Sequence, residues 1–179
     1  MNTAAPGVFR QLLGTAFDTL PPALRALHAI DGHARFVGVA QVQRGTHPLA
    51  VLCAICTRLP PSGRDVPVTI DFTADAQCET WQRRFGDARM SSHLRAQGGE
   101  LVERLGLLQF RFALSVVDDA IHWRLAGARL FGVLPLPSTW FAGVRCVERA
   151  RNGRYEFLAE AALPLIGPVM RYEGWLAPA

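Results

Sequence analysis

The chain has 179 residues, a net charge of +4 and 50% hydrophobic residues, a composition that excludes a disordered protein. Apart from His, every basic residue is Arg, and no run of Arg exceeds two residues. The sequence therefore lacks the clustered basic stripe that is typical of nucleic-acid-binding proteins, and nucleic-acid binding is not predicted. This length suits one domain with its own core, so we expect a single domain over residues 1–179.

Residues 1–7 lack the basic start and the apolar centre of a secretory signal. Four Cys residues do not make a disulfide scaffold in a chain this long, so a reducing, cytoplasmic location is predicted. Cys53 and Cys56 have Cys-x-x-Cys spacing, but their neighbours are apolar and no second ligand pair follows. We therefore expect small core thiols, with no metal and no cofactor.

The first third of the chain predicts helices around a single strand. Apolar residues at helical spacing indicate two short helices within residues 8–30, and a strand is predicted over residues 35–43. His47 is predicted to cap an apolar helix over residues 49–59, which Pro60 ends. No apolar run reaches the about 18 residues that a membrane-spanning helix requires.

The rest of the chain predicts short strands joined by tight turns, with the strongest hairpin signal at Asn152-Gly153. These strands are predicted over residues 66–72, 79–85, 89–95, 101–105, 108–116, 121–125, 144–150, 155–163 and 169–176. Sequential strands joined by tight turns form antiparallel sheets, and a sheet with this many strands must curl. We therefore predict an α+β fold, in which an antiparallel sheet of about nine strands forms a barrel or half-barrel with the N-terminal helices packed on it.

The segment 130–141 begins at Leu130, ends at Phe141 and is more apolar than a surface loop, although two Pro residues break it. We expect it to be a mobile lid packed on the barrel mouth. The alternative is an apolar patch that makes weak peripheral contact with a membrane surface or touches a partner.

Two opposite charges occupy the centres of apolar strand faces. Arg83 shares a face with Trp81 and Phe85, and Glu103 lies between Leu101 and Leu105 on another strand. Buried charges are costly unless paired, so we predict that Arg83 and Glu103 meet inside the barrel, across the one strand between them. The pair would either fix strand register or anchor a ligand.

Two further residues complete the set of candidate site residues. His28 ends a helix and is either a capping or core residue or a general base. Tyr172 is an aromatic residue with a polar group that suits a core or a ligand pocket.

Three functions remain open. We favour a binding module that holds a small, largely apolar molecule, oriented by Arg83 and Glu103, in a calyx of several hundred Å³ lined by Trp81, Phe85, Phe110 and Phe112. The alternatives are a small enzyme and a purely structural interaction domain. An enzyme would use Glu103 or His28 as general base beside Arg83.

Several short motifs occur in a recognisable order: Leu20-Pro21-Pro22, Trp81-Gln82-Arg83-Arg84-Phe85, Leu101-Val102-Glu103 and Tyr172-Glu173-Gly174-Trp175-Leu176. Over nearly the whole chain the sequence resembles an uncharacterised bacterial domain of unknown function. Members of that family stand alone or lie C-terminal to NAD(P)-binding domains similar to saccharopine dehydrogenases or short-chain dehydrogenases. The resemblance implies an accessory role beside an NAD(P)-dependent oxidoreductase, because this chain has no Gly-x-Gly-x-x-Gly motif after a strand.

Overall fold

The computed structural model describes residues 6–179, so most of the segment tested for a secretory signal lies outside the described residues. Three short helices precede the sheet, α1 (Val8–Leu13), α2 (Ala16–Thr19) and α3 (Pro22–His28), where two were predicted. The first predicted helix is split because Gly14 adopts a φ of 57° and ends α1.

The remaining elements are one helix, eleven strands and one 3₁₀ turn. In chain order they are β1 (Gly32–Arg44), α4 (Pro48–Thr57), β2 (Gly63–Ala74), β3 (Cys78–Phe85), β4 (Ala88–Gln97), β5 (Glu100–Leu105), β6 (Leu108–Val117), β7 (Ala120–Leu130), β8 (Leu134–Leu136), a 3₁₀ helix (Ser138–Phe141), β9 (Arg145–Arg151), β10 (Arg154–Leu163) and β11 (Gly167–Pro178). His47 caps α4 as predicted, because its Nδ1 accepts a hydrogen bond from the Leu49 backbone N–H at 3.3 Å.

The sheet closes on itself. Strands β1 to β7 pair in sequence, β7 pairs with β9, and β9, β10 and β11 lead back to β1, all antiparallel. The predicted antiparallel barrel with N-terminal helices is therefore confirmed, and it contains ten strands. An eleventh strand, β8, pairs only with the end of β7. It was not predicted because it is three residues long and contains Pro135, which is tolerated at a sheet edge.

Glycines allow close approach where the first and last strands of the barrel meet. A Cβ on Gly174 of β11 would lie 2.2 Å from the Val39 carbonyl oxygen of β1, and one on Gly38 would lie 1.8 Å from the Trp175 carbonyl oxygen. Side chains at these positions would force the two strands apart. The glycines therefore permit the coiling that closes the barrel.

The two ends of the barrel are covered differently. At the helical end, α1–α3 insert side chains such as Phe9, Leu24 and Leu27, which are completely or almost completely buried. At the opposite end, called the α4 end, α4 buries only the small residues Ala50, Ala54 and Thr57. None of the helices within residues 6–179 is both long and apolar enough to cross a membrane.

The segment 130–141, predicted to be a mobile lid, has two parts: β8 does not cover the barrel, whereas the 3₁₀ helix (Ser138–Phe141) packs against β7 and β10. Strand β8 is held beside the end of β7 by main-chain pairing, which places it outside the barrel. Only Phe141 turns inward, with its ring centroid 6.2 Å from that of Phe110. The other large apolar side chains in this stretch include several that are exposed, namely Phe131, Val133, Leu134 and Trp140.

Candidate functional site

The predicted pair of Arg83 and Glu103 lies inside the barrel. Strand β3 directs Trp81, Arg83 and Phe85 inward, β5 directs Glu103 inward, and β4 lies between these two strands. Arg83 Nη2 is 3.5 Å from Glu103 Oε1, and both side chains are buried. The curvature of the barrel thus brings next-but-one strands within reach of each other's long side chains.

Arg83 has two further partners, whereas Glu103 has spare hydrogen-bonding capacity. Arg83 Nη1 donates a hydrogen bond to Ser92 Oγ on β4, and the guanidinium carbon lies 4.7 Å from the centroid of the Trp81 ring. No residue between 6 and 179 donates a hydrogen bond to the Glu103 carboxylate, which has only the 3.5 Å ionic contact. A ligand that donates a hydrogen bond would therefore find its acceptor in Glu103.

A second buried cluster joins α3 to the opposite wall of the barrel. His28 Nε2 lies 2.7 Å from Glu148 Oε2 on β9, so the imidazole N–H donates to this carboxylate. Burial raises the pKa of Tyr155 on β10, and the nearby Glu148 charge adds to the effect. The Phe9 ring stacks on His28 with centroids 3.7 Å apart.

Glu79 is a third buried carboxylate, at the start of β3. It accepts a 2.9 Å hydrogen bond from Trp81 Nε1. Burial raises the pKa of Glu79, although His28 and the Trp81 hydrogen bond oppose the shift. Among residues 6–179 the buried charged side chains are thus three carboxylates and one guanidinium, with His28 the only other buried titratable base.

The space between these side chains forms two chambers. The first has a volume of about 70 Å³ and is lined by residues that include Trp81, Arg83, Phe85, Glu148 and Tyr155. The second has a volume of about 120 Å³, lies beside α4, and is lined by residues that include Cys53, Leu105, Phe110, Phe112, Phe141 and Met170. Glu103, Cys146, Ala159 and Tyr172 line both chambers and mark where they meet.

The predicted calyx is therefore divided and smaller than expected. Trp81 and Phe85 line the first chamber, whereas Phe110 and Phe112 line the second. The second chamber approaches the roughly 150 Å³ of an engineered apolar cavity that binds benzene. It has room for one aromatic ring, and a larger ligand would require α4 or Phe141 to move.

The two ends of the barrel differ in how easily they could admit a ligand. The helical end is closed by large, fully buried side chains from α1–α3. The α4 end is covered by Ala50, Ala54 and Thr57, and Cys53 and Thr57 directly line the second chamber. We expect a ligand to enter beside α4, because displacing small side chains uncovers less apolar surface.

Two of the side chains at the junction between the chambers, Cys146 and Tyr172, are neutral polar groups. Burial raises the pKa of the Cys146 thiol and of the Tyr172 hydroxyl, and the carboxylate charges of Glu103 and Glu148 act in the same direction on both groups. Cys146 is therefore a protonated thiol with little nucleophilic character near neutral pH. Residues 6–179 contain no group of three or more His, Cys, Asp or Glu side chains placed to hold a metal ion.

Of the six sequence-derived site residues, five surround the first chamber and one does not. Arg83, Glu103, Trp81, Phe85 and Tyr172 line it, in the arrangement that the alternating strand faces predicted. His28 lines neither chamber, because it lies behind residues that do: it pairs with Glu148 and packs against the rings of Trp81 and Tyr155. As a general base, His28 would therefore act through Glu148 and not on a ligand directly.

Sequence reasoning missed five polar residues of the interior: Glu79, Ser92, Cys146, Glu148 and Tyr155. Glu79 could have been found, since it shares a strand face with Trp81, Arg83 and Phe85. Glu148 gave no such signal, because its face of β9 carries only Cys146 and Ala150 beside it.

Comparison with known proteins gives a family and a distant structural likeness. The crystal structure of Rv2717c from M. tuberculosis is similar to this chain with a TM-score of 0.46 and 17% sequence identity, covering 89% of this chain and 99% of that one. No curated protein matches the sequence significantly. A family model described as a domain of unknown function, DUF4166, matches residues 20–176, as the sequence motifs led us to expect. The chain belongs to the DUF4166 family.

Proposed function

We propose that the barrel is a binding module for a small, largely apolar molecule that carries a hydrogen-bond donor or a positive charge. The observation that carries the proposal is Glu103, a buried carboxylate at the junction of two chambers with only a 3.5 Å contact to Arg83. Buried polar groups are normally hydrogen-bonded, so an acceptor with spare lone pairs beside an empty volume favours a ligand that donates to it.

The charge inside the barrel supports a cationic or donor ligand over an acidic one. The Arg83 guanidinium already contacts Ser92, Trp81 and Glu103, which leaves little of it for an external carboxylate. Glu79 and Glu148 add two more acidic groups to the interior. A ligand cation would offset this surplus, whereas a ligand anion would increase it.

The apolar part of the ligand fits the second chamber. Its walls are mainly aliphatic and aromatic side chains, among them Leu105, Phe110 and Phe112. The ligand would place one ring or a short alkyl chain there and direct its polar group toward Glu103.

Three single-ring probes of similar size test this assignment: benzylamine, toluene and benzoate. We expect benzylamine to raise the melting temperature most, toluene less and benzoate least, because only benzylamine pairs with Glu103. Glu103→Gln should remove the preference for benzylamine over toluene while leaving toluene binding intact. Glu156→Gln, which alters a half-buried carboxylate on β10 that lines neither chamber, is the matched control and should leave the preference unchanged.

The outcomes separate the binding function from the structural one. Stabilisation by none of the three probes would refute the binding function and favour a structural role. A preference for benzoate would show that Arg83, and not Glu103, anchors the ligand. The partnership with an NAD(P)-dependent oxidoreductase, which the family resemblance implies, remains a prediction that co-purification from the native host would test.

A further inference from the structure

We propose that the α4 end of the barrel docks on the surface of an anionic lipid bilayer. The large apolar side chains that are exposed to solvent concentrate at this end, and we call this set the apolar rim. It consists of Leu49, Val51, Leu52 and Ile55 of α4, Leu107 of the β5–β6 turn, Phe131, Val133, Leu134 and Trp140 around β8, and Leu165 of the β10–β11 turn. Within residues 6–179 only Val37 and Val117 among such side chains lie elsewhere.

Main-chain hydrogen bonds link three of the four segments that form the apolar rim, all but the β10–β11 turn that carries Leu165. The Leu107 N–H donates to the Cys56 carbonyl of α4 at 3.4 Å, and the Phe131 N–H donates to the Leu107 carbonyl at 2.8 Å. Gly106 permits this approach, because a Cβ there would lie 2.4 Å from the Cys56 carbonyl oxygen. The apolar rim is therefore held together on one end of the barrel, and its side chains are not scattered single residues.

The side chains of the apolar rim are largely exposed to solvent and are not covered by the rest of the protein. Ile55 is 64% exposed, Val133 is 77% exposed and Leu165 is fully exposed. Val133 and Leu165 lie in turns. Ile55 lies on α4, where it and Leu107 border an open groove that also contains Arg58 and Arg104. Projecting apolar tips with a Trp among them suit insertion into the interfacial layer of a bilayer, where no complementary protein shape is needed.

Positive charge surrounds the apolar rim. The exposed arginines near this end include Arg58, Arg64, Arg84, Arg89, Arg104, Arg129 and Arg145, and the exposed carboxylates there are Asp65 and Asp87. Arg145 pairs with Glu160, whereas none of the other six takes part in an ion pair among residues 6–179. The excess of basic groups complements the negative surface of an anionic bilayer.

Arg84 and Arg89 strengthen the case for an external anion. They are direct cross-strand partners on β3 and β4, and both are exposed. Like charges directly opposite each other destabilise a sheet, so this placement favours a binding partner that supplies negative charge. Lipid phosphate groups would supply it.

Docking on a bilayer does not depend on the proposed ligand, although the docking surface and the ligand's chamber lie at the same end of the barrel. The second chamber lies beside α4, so docking would place its expected entrance against the lipid. A bound apolar molecule could then be exchanged without crossing water.

Vesicle flotation of the purified chain tests the proposal, with one set of vesicles of phosphatidylcholine alone and one that also contains phosphatidylglycerol. We expect binding to the phosphatidylglycerol vesicles, weakened by added salt. Leu52→Ser/Ile55→Ser should abolish it, whereas Val37→Ser/Val117→Ser, which removes exposed apolar groups elsewhere, should not. Arg84→Gln/Arg89→Gln should weaken binding by about fivefold per charge, and Arg124→Gln/Arg151→Gln should weaken it less.

Three results would overturn the proposal. The first is no binding to either kind of vesicle by a folded, monomeric chain. The second is equal loss of binding in the rim variants and in their controls. The third is a stable dimer in sedimentation analysis that the Leu52→Ser/Ile55→Ser change converts to monomer without any vesicle binding, which would identify the apolar rim as an interface between copies of this chain.

Discussion

Substituting Arg83 or Glu103 tests whether burial makes this ion pair contribute strongly to the free energy of unfolding. Glu103→Gln leaves the Arg83 guanidinium without its counter-charge but keeps its contacts with Ser92 and Trp81, so we expect a loss of about 3 kcal/mol, the lower end for a broken buried pair. Arg83→Met also removes those two contacts and leaves the interior carboxylates without their guanidinium. We therefore expect a loss of about 5 kcal/mol, the upper end of the same range.

A double-mutant cycle isolates the interaction from these other losses. The variant with both changes should lose less stability than the sum of the single variants, with a coupling of at least about 1 kcal/mol. The matched control is Arg149 and Glu156, a cross-strand pair on β9 and β10 that is closer, at 3.0 Å, but more exposed, at 58% and 25%. Its coupling should stay below about 1 kcal/mol because water screens it.

Urea unfolding at low ionic strength is the measurement, since urea adds no ions that would screen the charges. Distance alone would make the 3.0 Å control pair the stronger one, whereas burial makes the 3.5 Å interior pair stronger. A coupling for Arg83 and Glu103 no larger than that of the control would refute the reasoning. It would also remove the argument that Arg83 is held in place by Glu103.

Three further predictions concern single residues. Because burial raises the folded-state pKa of Glu79 above its unfolded value, its contribution to stability should fall as pH rises above about 4. In thermal melts Glu79→Gln should therefore gain stability relative to the wild type as pH rises, and a difference that stays constant with pH would contradict this. Gly106→Ala should lower the melting temperature and increase hydrogen exchange in α4, because the added Cβ would lie 2.4 Å from the Cys56 carbonyl oxygen and the φ of Gly106 is 57°. The control Gly98→Ala has a similar φ of 61° but open space around the Cβ, so it should lower the melting temperature less. Phe141→Ala should let the two-ring probe naphthalene stabilise the protein, and no gain over the wild type in a thermal-shift titration would show that Phe141 does not limit the second chamber.

The strands could be predicted from sequence because their inward and outward residues alternate. Each predicted strand lies within an observed one, except that the strand predicted over residues 144–150 begins one residue before β9. The choice between a closed barrel and a half-barrel could not be made from sequence, because closure depends on pairing residues 36–44 with residues 170–178, and no local pattern records that distant contact. The outer strand β8 was missed because Pro135 within it and Pro137 just after it indicated a loop.

The site was predictable where a charge interrupts an apolar face and not elsewhere. Arg83 and Glu103 each have large apolar residues two positions away on both sides, so their inward direction was readable. Glu148 has only Cys146 and Ala150 at those positions, so neither face of β9 stands out. The division into two chambers depends on how side chains such as Phe112 and Tyr172 fill the barrel, which strand periodicity does not determine.

Strand β11 joins β1 to β10, and this makes barrel closure a late step in folding. Its pairing with β1 spans most of the chain, and the entropy of closing so long a loop makes such contacts slow to form. Before β11 inserts, β1 and β10 each present an unpaired strand edge of the kind that templates association between chains. A nascent chain on the ribosome exposes both edges until β11 emerges, so the interval before closure is when this protein is most open to aggregation and most in need of a chaperone.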